Sequence, residues 1–203
     1  MINGFKRLSA KIINYTLASL PAAIEAIGVT ARITDLGTGS ALFYSNGNQW
    51  LPCGEQLIYV DNVGATLTGT TNETVLSTFS FPKKLASPNM TIVINSLWAM
   101  SSSASTKTPR VRLGGISGTE YMNPTITTST SFQSETNIRL RNAVNSQVGF
   151  ASAPTSPYGV SGASGVTSTL DMSAADRDIV LTGQLQLGTD NLTLRAYNII
   201  LRG

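Results

Sequence analysis

The acidic side chains are the first place to look for chemistry in this chain of 203 residues. Asp171, Asp176 and Asp178 stand close enough together to suggest a calcium loop, because hard cations take several carboxylate and carbonyl oxygens. Their spacing departs from that of an EF-hand. Ser173-Ala-Ala-Asp176 fits better as a capped helical turn before a strand at Ile179, so no metal ligand is expected. Glycoside hydrolysis needs two facing carboxylates, and Glu55, Glu73, Glu120 and Glu135 have no spacing that pairs them. Arg110, Arg112, Arg139 and Arg141 alternate on strand-like segments. On one face they form either a basic stripe suited to phosphates or anionic sugars, or the solvated side of a sheet. Tyr44, Tyr59, Tyr121, Tyr158 and Tyr197 are candidates for stacking on sugar rings, or for half-buried packing. Gly114-Gly-Ile-Ser-Gly118 lacks the Lys-Ser/Thr end of a phosphate loop and reads as a turn.

Histidine is absent, which removes Ser-His-Asp and Cys-His nucleophilic machinery, His-ligated zinc or iron, and the usual proton shuttle near neutral pH. Cys53 is the single cysteine; it cannot form an intramolecular disulfide and reads as a buried structural thiol. The reading is of a non-enzymatic protein with no catalytic residue, metal or cofactor.

The elements that must position any site follow from composition. Hydrophobic residues make up 41% and charged residues only 12%, about half the usual globular share of roughly 25%. Counting gives 25 Thr, 23 Ser and 14 Asn, so neutral hydroxyls and amides cover the surface, a composition for strands and turns. The 14 basic and 11 acidic residues give a net charge of +3 and are mostly scattered singly, which argues against a nucleic-acid partner. No stretch approaches ~18 consecutive apolar residues, and the basic start lacks the apolar segment of a signal peptide, so neither membrane insertion nor export is expected.

Residues 1–29 read as an N-terminal arm. Leu8, Ile12, Ile13, Leu17 and Leu20 approximate a helical spacing that Pro21 interrupts, and Ala22 to Ile27 favours one or two helical turns stopped by Gly28. Residues 30–54 read as a small β cassette with strands at Ala31 to Asp35 and Ala41 to Ser45, turned at Asn46-Gly47 and closed by Trp50. Residues 55–203 carry nine strand candidates: Gln56 to Asp61, Thr74 to Phe81, Thr91 to Ala99, Arg110 to Gly114, Thr125 to Phe132, Thr136 to Asn142, Gln147 to Ala151, Asp178 to Leu187 and Asn191 to Arg202. This predicts an all-β chain, a jelly-roll-like β-sandwich preceded by the arm and the hairpin cassette. Ser101 to Ser105 and Ala153 to Gly165 read as surface loops.

The run Ala18-Ser-Leu-Pro-Ala-Ala23, then Ala31-Arg-Ile-Thr-Asp35, then Leu42-Phe-Tyr-Ser-Asn-Gly-Asn-Gln-Trp-Leu-Pro52, resembles a cassette that recurs in tailed-bacteriophage virion structural proteins of the tail fibre, spike or head-decoration type. It covers about 35 residues, with Asp35, Asn46, Gly47 and Trp50 as its structural positions. The resemblance implies a fibre or spike component found in the virion and made in the host bacterial cytoplasm, with head decoration as the alternative. It also implies a homotrimer whose partners are other virion proteins of the tail, connector or capsid. Host-surface glycan is a further candidate partner, and a carbohydrate-binding module or glycan-active enzyme is the reading from another class. Docking is expected in the arm. Phe5, Leu8, Ile12, Ile13 and Tyr15 supply its apolar anchors, and Lys6, Arg7 and Lys11 its positive charge.

Overall fold

In the computed structural model, residues 12–37, 40–150 and 165–203 are described. Ile12–Tyr15 (β1), Thr30–Ile33 (β2), Ala41–Ser45 (β3) and Trp50–Pro52 (β4) form a four-stranded sheet in chain order, in which β1 runs parallel to β2 and the other pairs are antiparallel. The helical spacing expected through Ile12 and Ile13 is therefore a strand: two β-branched residues and a tyrosine within four positions favour the extended backbone. Parallel pairing requires a crossover. Residues 16–29 provide it, with a 3-10 turn at Ala23–Ala26 where the sequence suggests helix, and Gly28 at φ +77° ends that turn.

Three side-chain ties bind the crossover to the hairpin, beside backbone bonds of Gly28 and Val29 with Ser45. Asp35 accepts from the Leu17 N–H at 2.8 and 3.1 Å, Ser45 Oγ donates to the Ala23 carbonyl at 2.7 Å, and Trp50 Nε1 donates to the Pro21 carbonyl at 3.0 Å. Leu20, Ala23 and Ala26 are buried alongside Phe43 and Trp50. Residues 12–29 thus share one sheet and one core with the cassette, and the boundary drawn at residue 29 falls inside that unit.

The rest is an antiparallel two-sheet β-sandwich. Its strands in chain order are Gln56–Asp61 (β5), Ala65–Leu67 (β6), Thr74–Phe81 (β7), Thr91–Met100 (β8), Lys107–Leu113 (β9), Thr119–Met122 (β10), Ser131–Leu140 (β11), Gln147–Phe150 (β12), Gly165–Ser168 (β13), Arg177–Leu185 (β14) and Leu192–Arg202 (β15). The minor sheet has the order β10-β9-β14-β7 and the major sheet β13-β12-β11-β8-β15-β5, with β6 also paired to β15. Alternating inward residues, among them Ile92, Ile94 and Trp98 of β8 and Ile179, Leu181 and Leu185 of β14, are buried between them. Gly183 lets the sheets approach, since a Cβ there lies 2.9 Å from Leu192 Cδ2.

Two expected segments, Thr125 to Phe132 and Thr136 to Asn142, prove to be one strand from Ser131, with Ile126 making a single bridge to Lys107. The polar run Gln133 to Glu135 does not break it, because Ser134 turns inward to bond Ser96 Oγ at 2.8 Å. β9 begins before Pro109, which stands where β9 pairs with β14 and β10 has ended. Of the loop expected at Ala153 to Gly165, residues 153–164 lie outside the described residues, and Gly165 opens β13.

The two parts pack on each other. Lys84 Nζ donates to the carbonyls of Leu17, Ala18 and Leu20 at 3.0, 3.3 and 2.9 Å. Gly37, at φ +54°, lies so near β5 that a Cβ would stand 2.6 Å from the Leu57 carbonyl oxygen.

Candidate functional site

The expected docking residues divide. Phe5, Lys6, Arg7, Leu8 and Lys11 lie outside the described residues. Ile13 and Tyr15 stand in register with Ala31 and Ile33 on the inner face of the cassette sheet, where Tyr15 packs against the core. Ile12 is on the other face. The register Ile12, Thr30, Tyr44, Leu51 runs straight across all four strands, with Ile12 44% and Tyr44 41% exposed. Ile24 and Ile27 at the 3-10 turn are more exposed still. Of the cassette positions, Asn46 Oδ1 accepts from the N–H groups of Asn48 and Gln49 at 2.9 and 3.0 Å, and Gly47 takes φ +91°. Cys53, expected to be buried, is exposed just beyond β4.

Glu73 and Glu120, unpaired in sequence, meet on the outer face of the minor sheet. β9 presents Arg110 and Arg112 two residues apart on that face. Arg112 Nε reaches Glu73 at 2.8 Å and its Nη2 reaches Glu120 at 2.7 Å, while Arg110 Nε lies 2.9 Å from Glu120. Thr182 also donates to Glu73. Burial alone pushes the Glu73 carboxyl up. The hydrogen bonds from Arg112 and Thr182 and the charges of both arginines outweigh it and hold that carboxyl below the ordinary glutamate range. A glycosidase acid needs the opposite shift, so this pairing suits an ion-pair network that joins the residue before β7 to β9, β10 and β14. Arg139 belongs to the major sheet, on β11, so the four arginines form no common stripe.

The three aspartates diverge. Asp171 accepts from the Ser173 N–H and hydroxyl at 2.9 and 2.7 Å, Asp176 accepts from the Lys83 N–H at 2.9 Å, and the Asp178 carbonyl takes the N–H groups of Gly114 and Gly115. Asp171, and not Ser173, caps the turn. Among the described residues no three His, Cys, Asp or Glu side chains gather as a metal site.

The serine run hides a buried cation. Lys107 is fully buried, and its Nζ donates to the carbonyls of Ser103 and Ser105 at 3.2 and 2.9 Å and to Ser103 Oγ at 2.8 Å. Asp190, also buried, accepts from the hydroxyls of Ser101, Ser103 and Ser105. The segment is a surface loop as expected, with Ser102 and Ala104 exposed, and its inward hydroxyls and carbonyls form a charge nest.

On the outer face of the major sheet, a groove of about 190 Å³ opens where β15 bulges between Leu194 and Ala196. Asn62, Asn95, Gln133 and Asn198 line it, with Leu97 on its floor and no charged side chain in its wall. No tyrosine ring lies open there: Tyr197 and Tyr121 are buried, and Tyr59 packs on Phe79 and Tyr197 with ring centroids 4.8 and 5.4 Å apart. Tyr158 lies outside the described residues.

No protein-family model and no curated protein matches the sequence. Among solved structures, the chain is similar to "Structure of infectious bursal disease virus Gx strain" at 12% identity and TM-score 0.26, covering 76% of this chain and 43% of that one. A second likeness, to "Structure of infectious bursal disease virus Gt strain", has 11% identity and TM-score 0.28 over 91% of this chain and 48% of that one. The chain thus spans less than half the length of either. Likenesses of this size carry no function across.

Proposed function

We propose that this chain is a non-enzymatic structural protein of a bacteriophage particle. It is a fibre or spike component that docks through its N-terminal unit, displays the β-sandwich outward, and acts as a homotrimer. The observation that carries the reading is the outer face of the cassette sheet. There Ile12 and Tyr44, with Thr30 between them in register and Leu51 beyond, leave apolar surface open on the same segment whose Leu-Pro, Thr-Asp and Asn-Gly-x-x-Trp pattern resembles a virion cassette. An exposed apolar row on a small sheet is a liability unless another surface covers it. The sandwich surface, rich in hydroxyls and amides, suits the exposed role.

The test is incorporation. The full chain and an Ile12→Ser/Tyr44→Ser double variant are each expressed with the remaining virion proteins, and the chain is quantified in purified particles. The native chain is expected at a fixed occupancy that is a multiple of three, and the folded double variant at least tenfold below it. Absence of the native chain from particles, or full occupancy by the variant, overturns the proposal.

A further inference from the structure

We infer that the groove at the β15 bulge is a binding site for neutral saccharide, read by Asn95, Asn198, Gln133 and Asn62. The inference rests on the reading of the sandwich as the displayed part of the protein.

The site is built by backbone. In register across the major sheet, Asn198 of β15 faces Asn95 of β8, and Ala196 faces Leu97, which in turn faces Gln133 of β11. The bulge inserts Arg195 between Leu194 and Ala196 and breaks the alternation there, so the small Ala196 sits where a larger side chain would close the groove. The wall carrying Asn62 is held from both sides. Asp61 Oδ1 accepts from the Val63 N–H at 2.9 Å, and Gly64, at φ +76°, lies so close to β15 that a Cβ would stand 2.8 Å from the Leu194 carbonyl oxygen.

The chemistry of the lining selects the ligand. Asn95 Nδ2 donates to Asn198 Oδ1 at 3.0 Å, which leaves the pair with the Asn95 carbonyl as an acceptor and the Asn198 NH2 as a donor for a ligand. A pair of adjacent sugar hydroxyls, each both donor and acceptor, matches that arrangement, and Gln133 on the β11 side and Asn62 on the β5 side each add a further amide to the lining. Leu97, 44% exposed amid amides, gives the apolar C–H face of a pyranose something to cover. The nearest carboxylate on β11, Glu135, is bonded by Asn137 Nδ2 at 2.9 Å and does not line the groove. Arg195, exposed at the bulge, is not among the lining residues, so the groove itself gives an anionic ligand no charged partner. The volume lies below the roughly 300–1,000 Å³ of sites that enclose a drug-sized molecule, so one sugar unit sits in the groove and the rest of the chain lies across the open sheet.

The test is a titration of the full chain, labelled with 15N, against maltohexaose, cellohexaose, a galactose-terminated tetrasaccharide and a sialylated tetrasaccharide, following the side-chain amide resonances. At least one neutral oligosaccharide is expected to shift Asn95, Asn198 and Gln133 together, with affinity at least tenfold above that for the sialylated probe. Ala196→Phe, which fills the groove without replacing an amide, is expected to weaken binding at least tenfold. Asn198→Leu repeats the test should the first variant fold poorly. The proposal falls if no neutral probe moves these resonances, if the sialylated probe binds equally, or if binding survives in the folded variants. It falls also if the same resonances move with protein concentration alone, which would assign the groove to a second copy of the chain. Particle incorporation of the same variants keeps the two proposals apart: loss of sugar binding leaves it unchanged, and a chain absent from particles fails the other proposal alone.

Discussion

Lys107 and Asp190 are joined through one hydroxyl: Ser103 Oγ accepts from Lys107 Nζ at 2.8 Å and donates to Asp190 Oδ2 at 3.0 Å. Hydroxyls and carbonyls surround both charges, and each is out of water. A buried ion that keeps its partners is tolerable, and one that loses them is not. Lys107→Ala is therefore expected to destabilise the protein by about 2–4 kcal/mol, read by urea unfolding. Lys107→Met combined with Asp190→Asn should recover part of that loss. A single Lys107→Ala change that leaves the unfolding midpoint in place would contradict the nest.

Glu73 supplies a pH dependence of fixed sign. Its carboxyl is held low in the folded protein, so the unfolded chain binds the proton more tightly. The stabilisation is present above the ordinary glutamate value of about 4.3 and is lost as pH falls through the lower folded value. Glu73→Gln should cost about 1–2 kcal/mol at pH 7, given that the group is partly exposed. It should also flatten the fall in stability below pH ~4.3 in thermal melts taken across that range.

Deletion of residues 1–29, which the arm reading expects the protein to survive, removes β1, the buried Leu20, Ala23 and Ala26, and the acceptor of the Trp50 indole. The expected result is a folded sandwich carrying an opened cassette. In a Trp98→Phe background, Trp50 fluorescence should shift to the red while far-ultraviolet dichroism keeps its strand signal. An unshifted Trp50 would restore the arm as a separate piece.

Cys53 is predicted to react with a maleimide in the native protein to one equivalent, since the thiol is exposed. Partial burial pushes that thiol up, so the rate should rise at a higher pH than for a free cysteine. A thiol that labels only in denaturant would return it to the core.

How much of this was legible in the sequence depended on element length. β5 and β7 have the bounds expected of them, and β14 and β15 announce themselves through alternation over nine and eleven residues. β6, β10 and β13 have three or four residues each and take their pairing from neighbours, so no local pattern marks them. The helical spacing around Ile12 misled because a few apolar positions fit either period, and only the parallel partner β2 decides between them. Asn46-Gly47 and Trp50 were readable because turn chemistry is local. The pairing of Glu73 with Glu120, the nest under the serine run and the convergence of Asn62, Asn95, Gln133 and Asn198 were not, since each joins residues far apart in the chain. A lysine two residues after a serine run was the one available hint of the nest.

The place of β15 has a consequence for how the chain is made. It lies between β8 and β5 in the major sheet, so Thr91 waits for Arg202, on the order of a hundred residues later, before its strand has both neighbours. A sandwich dominated by such distant pairings folds in milliseconds to seconds, well after its early strands have left the ribosome. Until residues 192–202 emerge, β8 and β5 expose facing edges with apolar side chains. A stalled or shortened chain is then a strand-pairing hazard to its neighbours and not merely a less stable copy.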